Sequence, residues 1–214
     1  MLAQKKKSYF KILLPITIFL LIGSAVAAHY LFDPWGFYWK VSAEETDIRM
    51  QYVETAEKYL GYNESDGSHQ KIIDQYNAHE PLAMGYVVQY TDSWCSTFVS
   101  SMAIECELTS IIPTECGCER HIELFKNIGR WQENENMIPL PGDLIFYDWQ
   151  QTKPGNATGW SDHVGIVVGT KWPFVKVIEG NKDDNVSYRT ILLSDIRIRG
   201  YAQPDFASLT KKTP

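Results

Sequence analysis

The sequence predicts an α+β domain with an antiparallel sheet, preceded by a separate N-terminal export segment. Three observations carry that prediction. Helix-like periodicity recurs between Glu44 and Asn127, short β-rich runs take over after Pro141, and a basic stretch followed by an apolar one opens the chain. A chain of 214 residues with 44% hydrophobic content supplies one well-buried domain and an appendage, not two large domains.

The first 28 residues hold Lys5, Lys6, Lys7 and Lys11 with no acid, followed by an apolar stretch from Ile12 to Ala28. At ~1.5 Å per residue this stretch covers roughly 25 Å of a ~30 Å hydrocarbon core, marginal for a transmembrane helix. Ala25 and Ala27 form an A-x-A pattern, so removal as a signal peptide stands beside retention as an anchor. The rings of Tyr30, Phe32, Trp35, Phe37, Tyr38 and Trp39 suit the lipid–water boundary and favour the anchor. The lysines then stay cytoplasmic and the domain lies on the outer face of the cytoplasmic membrane, or is secreted if the segment is cut. Residues 29–43 read as a linker, 44–208 as the domain and 209–214 as a tail.

Within the domain, Ile48, Val53, Ala56 and Leu60 repeat at near-helical spacing from Glu44 to Leu60, which Gly61 closes. A short helix is expected around Lys71 to Tyr76. The run CSTFVSSMAIEC from Cys95 to Cys106 places Phe98, Val99, Met102 and Ala103 on one face, as in a half-buried helix, and another helix spans Arg120 to Asn127. Strands are expected at Asp143–Tyr147, His163–Val168, Phe174–Glu179 and Ile196–Tyr201, parted by Gly, Pro and Asn turns.

Charge excludes one class of partner. The formal charge is −6, and setting aside the four N-terminal lysines leaves 16 basic residues against 26 acidic, a balance of −10 for the exported part. No Lys/Arg stripe with interleaved aromatics is present, so no nucleic-acid partner is expected.

Nucleophilic chemistry is the strongest functional signal. A thiol attacks an amide as its thiolate, which a helix N-terminus and an imidazole partner favour. Cys95 heads the predicted helix, where its own N–H is also a donor for an oxyanion. His163 opens the strand HVGIVV after a polar loop, and Glu179 and Asn181 at the end of the following strand offer partners for its second ring nitrogen. His121, close to the cysteine-rich loop, is the alternative base. If Cys95 stays free, Cys106, Cys116 and Cys118 allow one bridge and one leftover thiol, in structural or idle roles.

The segments WCSTFVS around Cys95, PGDLIFYDW from Pro141 to Trp149, DHVGIV from Asp162 to Val167 and EGN from Glu179 to Asn181 together resemble the CHAP family of cysteine, histidine-dependent amidohydrolases and peptidases. The likeness spans roughly residues 50 to 204. It implies a papain-like CHAP fold, with N-terminal helices packed on an antiparallel sheet. It also implies peptidoglycan as substrate, cleaved at the bond between muramic acid and the stem peptide or within the peptides. The family's nucleophile falls on Cys95, its base on His163, its third member on Glu179 and a supporting amide on Asn181. Where the family often has a polar residue before the nucleophile this chain has Trp94, and Tyr90 is the substitute for a second oxyanion donor. Some members hold calcium in an acidic loop before the cysteine; Asn63, Glu64 and Asp66 are only a fragment of such a loop, so neither metal nor cofactor is expected.

Trp94, Trp131, Trp149 and Trp160 are candidate groove residues, although large aromatics more often fill cores. Asp143 and Asp148 read as turn and strand-end residues. Asn63, Asn156 and Asn185 lie in N-x-[ST] sequons, which matter only in a eukaryotic secretory pathway. Two other functions use the same chain: a catalytically idle, membrane-tethered module that binds wall or partner proteins, and a peptidase acting on proteins. A complete set of cysteine, histidine and acid favours catalysis.

Overall fold

A computed structural model describes residues 41–133, 137–153 and 159–210. The expected anchor or signal (1–28) and most of the linker lie outside the described residues, as does most of the tail. Among the described residues no helix is long and apolar enough to cross a membrane.

Among the described residues four α-helices come first: α1 (Ala43–Glu57), α2 (Gln70–Asn77), α3 (Cys95–Glu105) and α4 (Cys118–Asn127). Strands follow: β1 (Trp131–Glu133), β2 (Leu144–Tyr147), β3 (His163–Lys171), β4 (Phe174–Lys182), β5 (Asn185–Leu192) and β6 (Ile198–Ala202). The six strands form one sheet, every neighbouring pair antiparallel, in the order β1-β6-β2-β3-β4-β5. The expected α+β class with an antiparallel sheet is therefore present. β1 and β5 were not anticipated, because three residues are too few to show alternation and NVSYRTIL mixes polar with apolar positions at the sheet's far edge.

Helix α1 starts where Ser42 Oγ accepts the Glu45 amide at 3.1 Å, which satisfies one of the unpaired donors of the first turn. Its buried face differs from the expected apolar stripe. Arg49 is buried with Tyr52, Val53 and Ala56, whereas Leu60 lies past the helix end and is exposed. Arg49 can be buried because it is paired with carboxylates and a carbonyl: Nε binds Glu45 at 2.8 Å, and Nη1 binds Asp143 at 2.9 Å and the Pro141 carbonyl at 3.0 Å.

Helix α3 is also not half-buried as expected. Every residue from Cys95 to Ala103 is buried, since the helix packs against α1, α2 and α4 on some sides and strands β3 and β4 on another. Its serines answer the polar cost of that position. Ser96 and Ser100 Oγ donate to the Glu115 carbonyl at 3.1 and 2.7 Å, and Ser101 Oγ donates to the Ile72 carbonyl at 3.0 Å.

Both faces of the sheet bear buried apolar side chains. Leu144, Phe146, Val164, Ile166 and Ile178 share a cluster with the helices, while Ile145, Tyr147, Val167, Val177 and Tyr201 form a second cluster. Two covered faces explain why these strands read as continuous apolar runs rather than alternating ones. Burial of each such side chain is worth roughly 1.5–3 kcal/mol before the entropy of ordering is subtracted.

Candidate active site

Cys95 is the first residue of α3. Its N-cap, Trp94, makes no side-chain hydrogen bond to the first turn, so the thiol stands at the positive end of the helix dipole without a competing side-chain cap. His163 is the first residue of β3 and Glu179 lies in β4, both buried. The His163 Nε2 atom is 3.1 Å from Glu179 Oε2. That contact engages Nε2, and the Cys95 thiol lies near enough to the ring for each to shift the other's titration.

Two glycines let these elements meet. A Cβ on Gly165 would lie 2.5 Å from Val177 Cγ1 and 2.7 Å from Glu179 Cγ, so the bare backbone of β3 leaves the path that the glutamate takes to His163. A Cβ on Gly180 would collide with Phe98 and Trp94, so β4 touches α3 at backbone distance just behind Cys95.

The charges favour a thiolate–imidazolium pair. A hydrogen bond from Cys118, and then hydrogen bonding and charge from His163, outweigh burial and hold the Cys95 thiol well below its ordinary range. Burial opposes charge on His163, but Cys95 and Glu179 raise its pKa to about 9. Burial likewise opposes ionisation of Glu179, and His163 and Arg189 overcome it and keep the carboxylate low. Arg189, on the unanticipated β5, donates Nε to both Glu179 oxygens at 2.8 and 2.9 Å. The carboxylate is thus shared between an imidazole and a guanidinium.

An aromatic wall flanks His163. Tyr147 stacks on Trp149 with centroids 4.6 Å apart and on His163 at 5.9 Å, and Arg189 lies over Trp149 at 4.7 Å. Burial, and then the Glu179 charge, push the Tyr147 phenol well above its ordinary range.

The remaining expected residues fare differently. Trp94 is wholly buried and cannot line a groove; its indole donates to Glu64 at 2.9 Å, and its ring lies near His69 and Gly180. Tyr90 is partly exposed with its hydroxyl donated to Asp74 at 2.7 Å, which is a surface tie and not an oxyanion contact. Trp160 is 77% exposed and available to a ligand. Asn181 is not brought into hydrogen bonding with His163: it adopts φ 57° inside an irregularity between Glu179 and Lys182, so the two-residue alternation that would align it with Glu179 is lost.

His121 is not a rival base. It is buried, its Nδ1 lies 2.9 Å from Ser96 Oγ, and burial lowers its pKa to about 4. In the loop of Asn63, Glu64 and Asp66 the acidic groups are taken up by neighbours, Asp66 accepting from the Ser68 amide and Asn63, and Glu64 from Trp94. Among the described residues no group of three or more His, Cys, Asp or Glu is placed to hold a metal ion.

All four cysteines are free thiols, so the single bridge that the count allowed is not formed. Cys118 is also not idle: its Sγ is 3.4 Å from that of Cys95. A separation of 23 positions hides this contact from sequence reasoning, and only the CGC spacing in a chain with an expected nucleophilic cysteine hints at it. No family model matches the chain, and no curated protein matches it.

Proposed function

We propose that this chain is a cysteine amidohydrolase or peptidase of the CHAP type, papain-like in fold, that cleaves amide bonds of peptidoglycan outside the cytoplasmic membrane. The observation that carries the reading is the buried line of Cys95, His163 and Glu179, with the thiol at a helix N-terminus. The wall as substrate rests on the four segments in CHAP order and on the export segment at the N-terminus.

In this mechanism the Cys95 thiolate attacks the amide carbon, and the carbonyl electron pair moves onto oxygen. The uncapped amide of Cys95 donates to that oxyanion. His163, as imidazolium, passes its proton to the departing amine as the C–N bond breaks, leaving a thioester. The neutral ring then takes a proton from water, the hydroxide attacks the thioester, and the thiolate leaves. Glu179 keeps the ring oriented and supports its charge throughout.

The test is mass spectrometry of products released from purified sacculi by the full chain in detergent. Amidase action releases peptides with a new L-alanine amino terminus, and endopeptidase action releases shortened or uncrosslinked stems. Cys95→Ala should lower the rate ~10³-fold or more while leaving the melting temperature near the parent value. An alanine variant of near-normal rate, or intact sacculi under conditions where the chain digests unfolded protein, would overturn the assignment.

A further inference from the structure

The hydrolytic cycle uses one thiol, yet two lie together in the site. Cys95 and Cys118 are each the first residue of a helix, α3 and α4, and their sulfurs are 3.4 Å apart. A disulfide places them ~2.05 Å apart, so an approach of about 1.4 Å separates the thiols from a covalent bond. The other two cysteines are engaged elsewhere. Cys106 Sγ faces the Gln51 carbonyl at 3.9 Å and Cys116 Sγ faces Glu115 at 3.6 Å. Glu119, next to Cys118, accepts the Ser161 amide at 3.0 Å, so the start of α4 is tied to the loop that leads into His163.

We propose that Cys95 and Cys118 are a redox modification site, forming a reversible intramolecular disulfide that removes the nucleophile from the active site. The bridge stands on the geometry of the two thiols; its effect on turnover rests on the hydrolase reading above.

The chemistry balances with a low-molecular-weight disulfide as oxidant. The Cys95 thiolate attacks one sulfur of that disulfide, forming a mixed disulfide and expelling one thiolate. Cys118 then loses its proton, and its thiolate attacks the Cys95 sulfur and expels the second. Two protein thiols are oxidised, one small disulfide is reduced to two thiols, and the chain loses two hydrogen atoms.

The division of labour follows from the local charges. Cys95 is the ionised partner and therefore the first to react. Cys118 is held protonated first by its hydrogen bond to Cys95 and then by burial, with the charges of Cys95, Asp162 and Glu119 adding to this. Capture of Cys95 in a mixed disulfide erases its negative charge and with it the foremost of those causes. Cys118 becomes easier to ionise at the step that needs its thiolate, and the sulfur it must reach is already in contact.

The experiment incubates the full chain in buffers of graded reduced-to-oxidised glutathione ratio, traps thiols with iodoacetamide, and maps alkylation by peptide mass spectrometry. Wall hydrolysis is measured on the same samples. The expected result is joint loss of alkylation at Cys95 and Cys118, with a Cys95–Cys118 cross-linked peptide, while Cys106 and Cys116 stay alkylatable. Hydrolysis should fall in proportion to the bridged fraction and return with dithiothreitol. In Cys118→Ser the same buffers should leave Cys95 as a glutathione adduct, because the resolving thiol is gone. Persistence of both thiols at every ratio, a glutathione adduct as the endpoint in the parent chain, or pairing of Cys95 with Cys106 or Cys116 would overturn the proposal. A bridge that forms in a chain unable to cleave sacculi in either state would uphold the site and overturn the hydrolase reading instead.

Discussion

Replacing Glu179 by Gln tests the electrostatic core of the site. The substitution preserves shape and an oxygen acceptor but deletes the one negative charge held between His163 and Arg189. Two effects then act on His163 in the same direction: its attractive partner is gone, and the Arg189 guanidinium is no longer neutralised. Loss of an opposite charge at this range shifts a pKa by about 1–3 units. Starting from a His163 pKa of about 9, the imidazolium should therefore titrate roughly 1–3 units lower. Each unit is ~1.4 kcal/mol less stabilisation of the thiolate–imidazolium pair. The sign is fixed by the charge state: His163 pairs with the thiolate only while protonated, so activity at the alkaline end is what disappears. The assay is the pH dependence of kcat/KM on wall fragments together with the iodoacetamide labelling rate of Cys95. The alkaline limb of the parent should fall near pH 9, and that of the variant should move down. An unmoved limb, or a larger displacement in Asn181→Ala, would refute Glu179 as the charge partner.

Other perturbations follow from the same geometry. Arg189→Gln leaves Glu179 to His163 alone, so the alkaline limb should move upward, opposite in sign to Glu179→Gln; a downward shift would contradict the shared-carboxylate arrangement. Gly165→Ala puts a methyl 2.7 Å from Glu179 Cγ and 2.5 Å from Val177 Cγ1, so it should cost about 1–3 kcal/mol in stability and, by displacing the glutamate, on the order of 10²-fold in kcat/KM. Denaturant melts and steady-state rates would check both figures. Arg49→Met strands the buried carboxylate of Asp143 and should cost about 3–5 kcal/mol, on the order of 10 °C in Tm. Burial already raises Asp143 from 3.8 to about 6 despite Arg49. Its folded pKa exceeds its unfolded one, so its contribution to stability is present below 3.8 and lost as pH rises through 6. The Arg49→Met deficit should accordingly shrink in acid, as thermal melts at several pH values would show.

The fold class and the three central residues were legible because each rests on short-range pattern. A helix heading with cysteine and two β-rich runs carrying His163 and Glu179 need only local periodicity to be recognised. What escaped depends on tertiary placement. Arg189 sits on a strand whose polar texture hid it, so the carboxylate's second partner could not be anticipated. Trp94 was assigned to a groove because sequence cannot tell which way a ring beside a nucleophile faces, and the absence of a Cβ on Gly180 is what seats it in the core. Asn181 failed because pairing arguments assume regular alternation, and its positive φ breaks it. The Cys95–Cys118 contact depends on where two helix starts converge, a relation that no local window contains.

The arrangement of Cys95, His163, Glu179 and Arg189 also bears on how the site is seen from a distance. With the thiolate and imidazolium formed, the four groups alternate in sign and sum to zero. Alternating charges a few ångströms apart cancel steeply with distance, and salt screens what remains within a Debye length of ~8–10 Å. A substrate approaching from solution therefore senses almost no monopole from the catalytic groups, and proton transfers among them leave their total charge unchanged. Under the proposed function, capture would depend on contacts made after arrival, for which Trp160 is exposed and Trp149 is half-buried beside His163. Any strong dependence of encounter rate on ionic strength would originate in charges elsewhere on the acidic surface, not in these four groups.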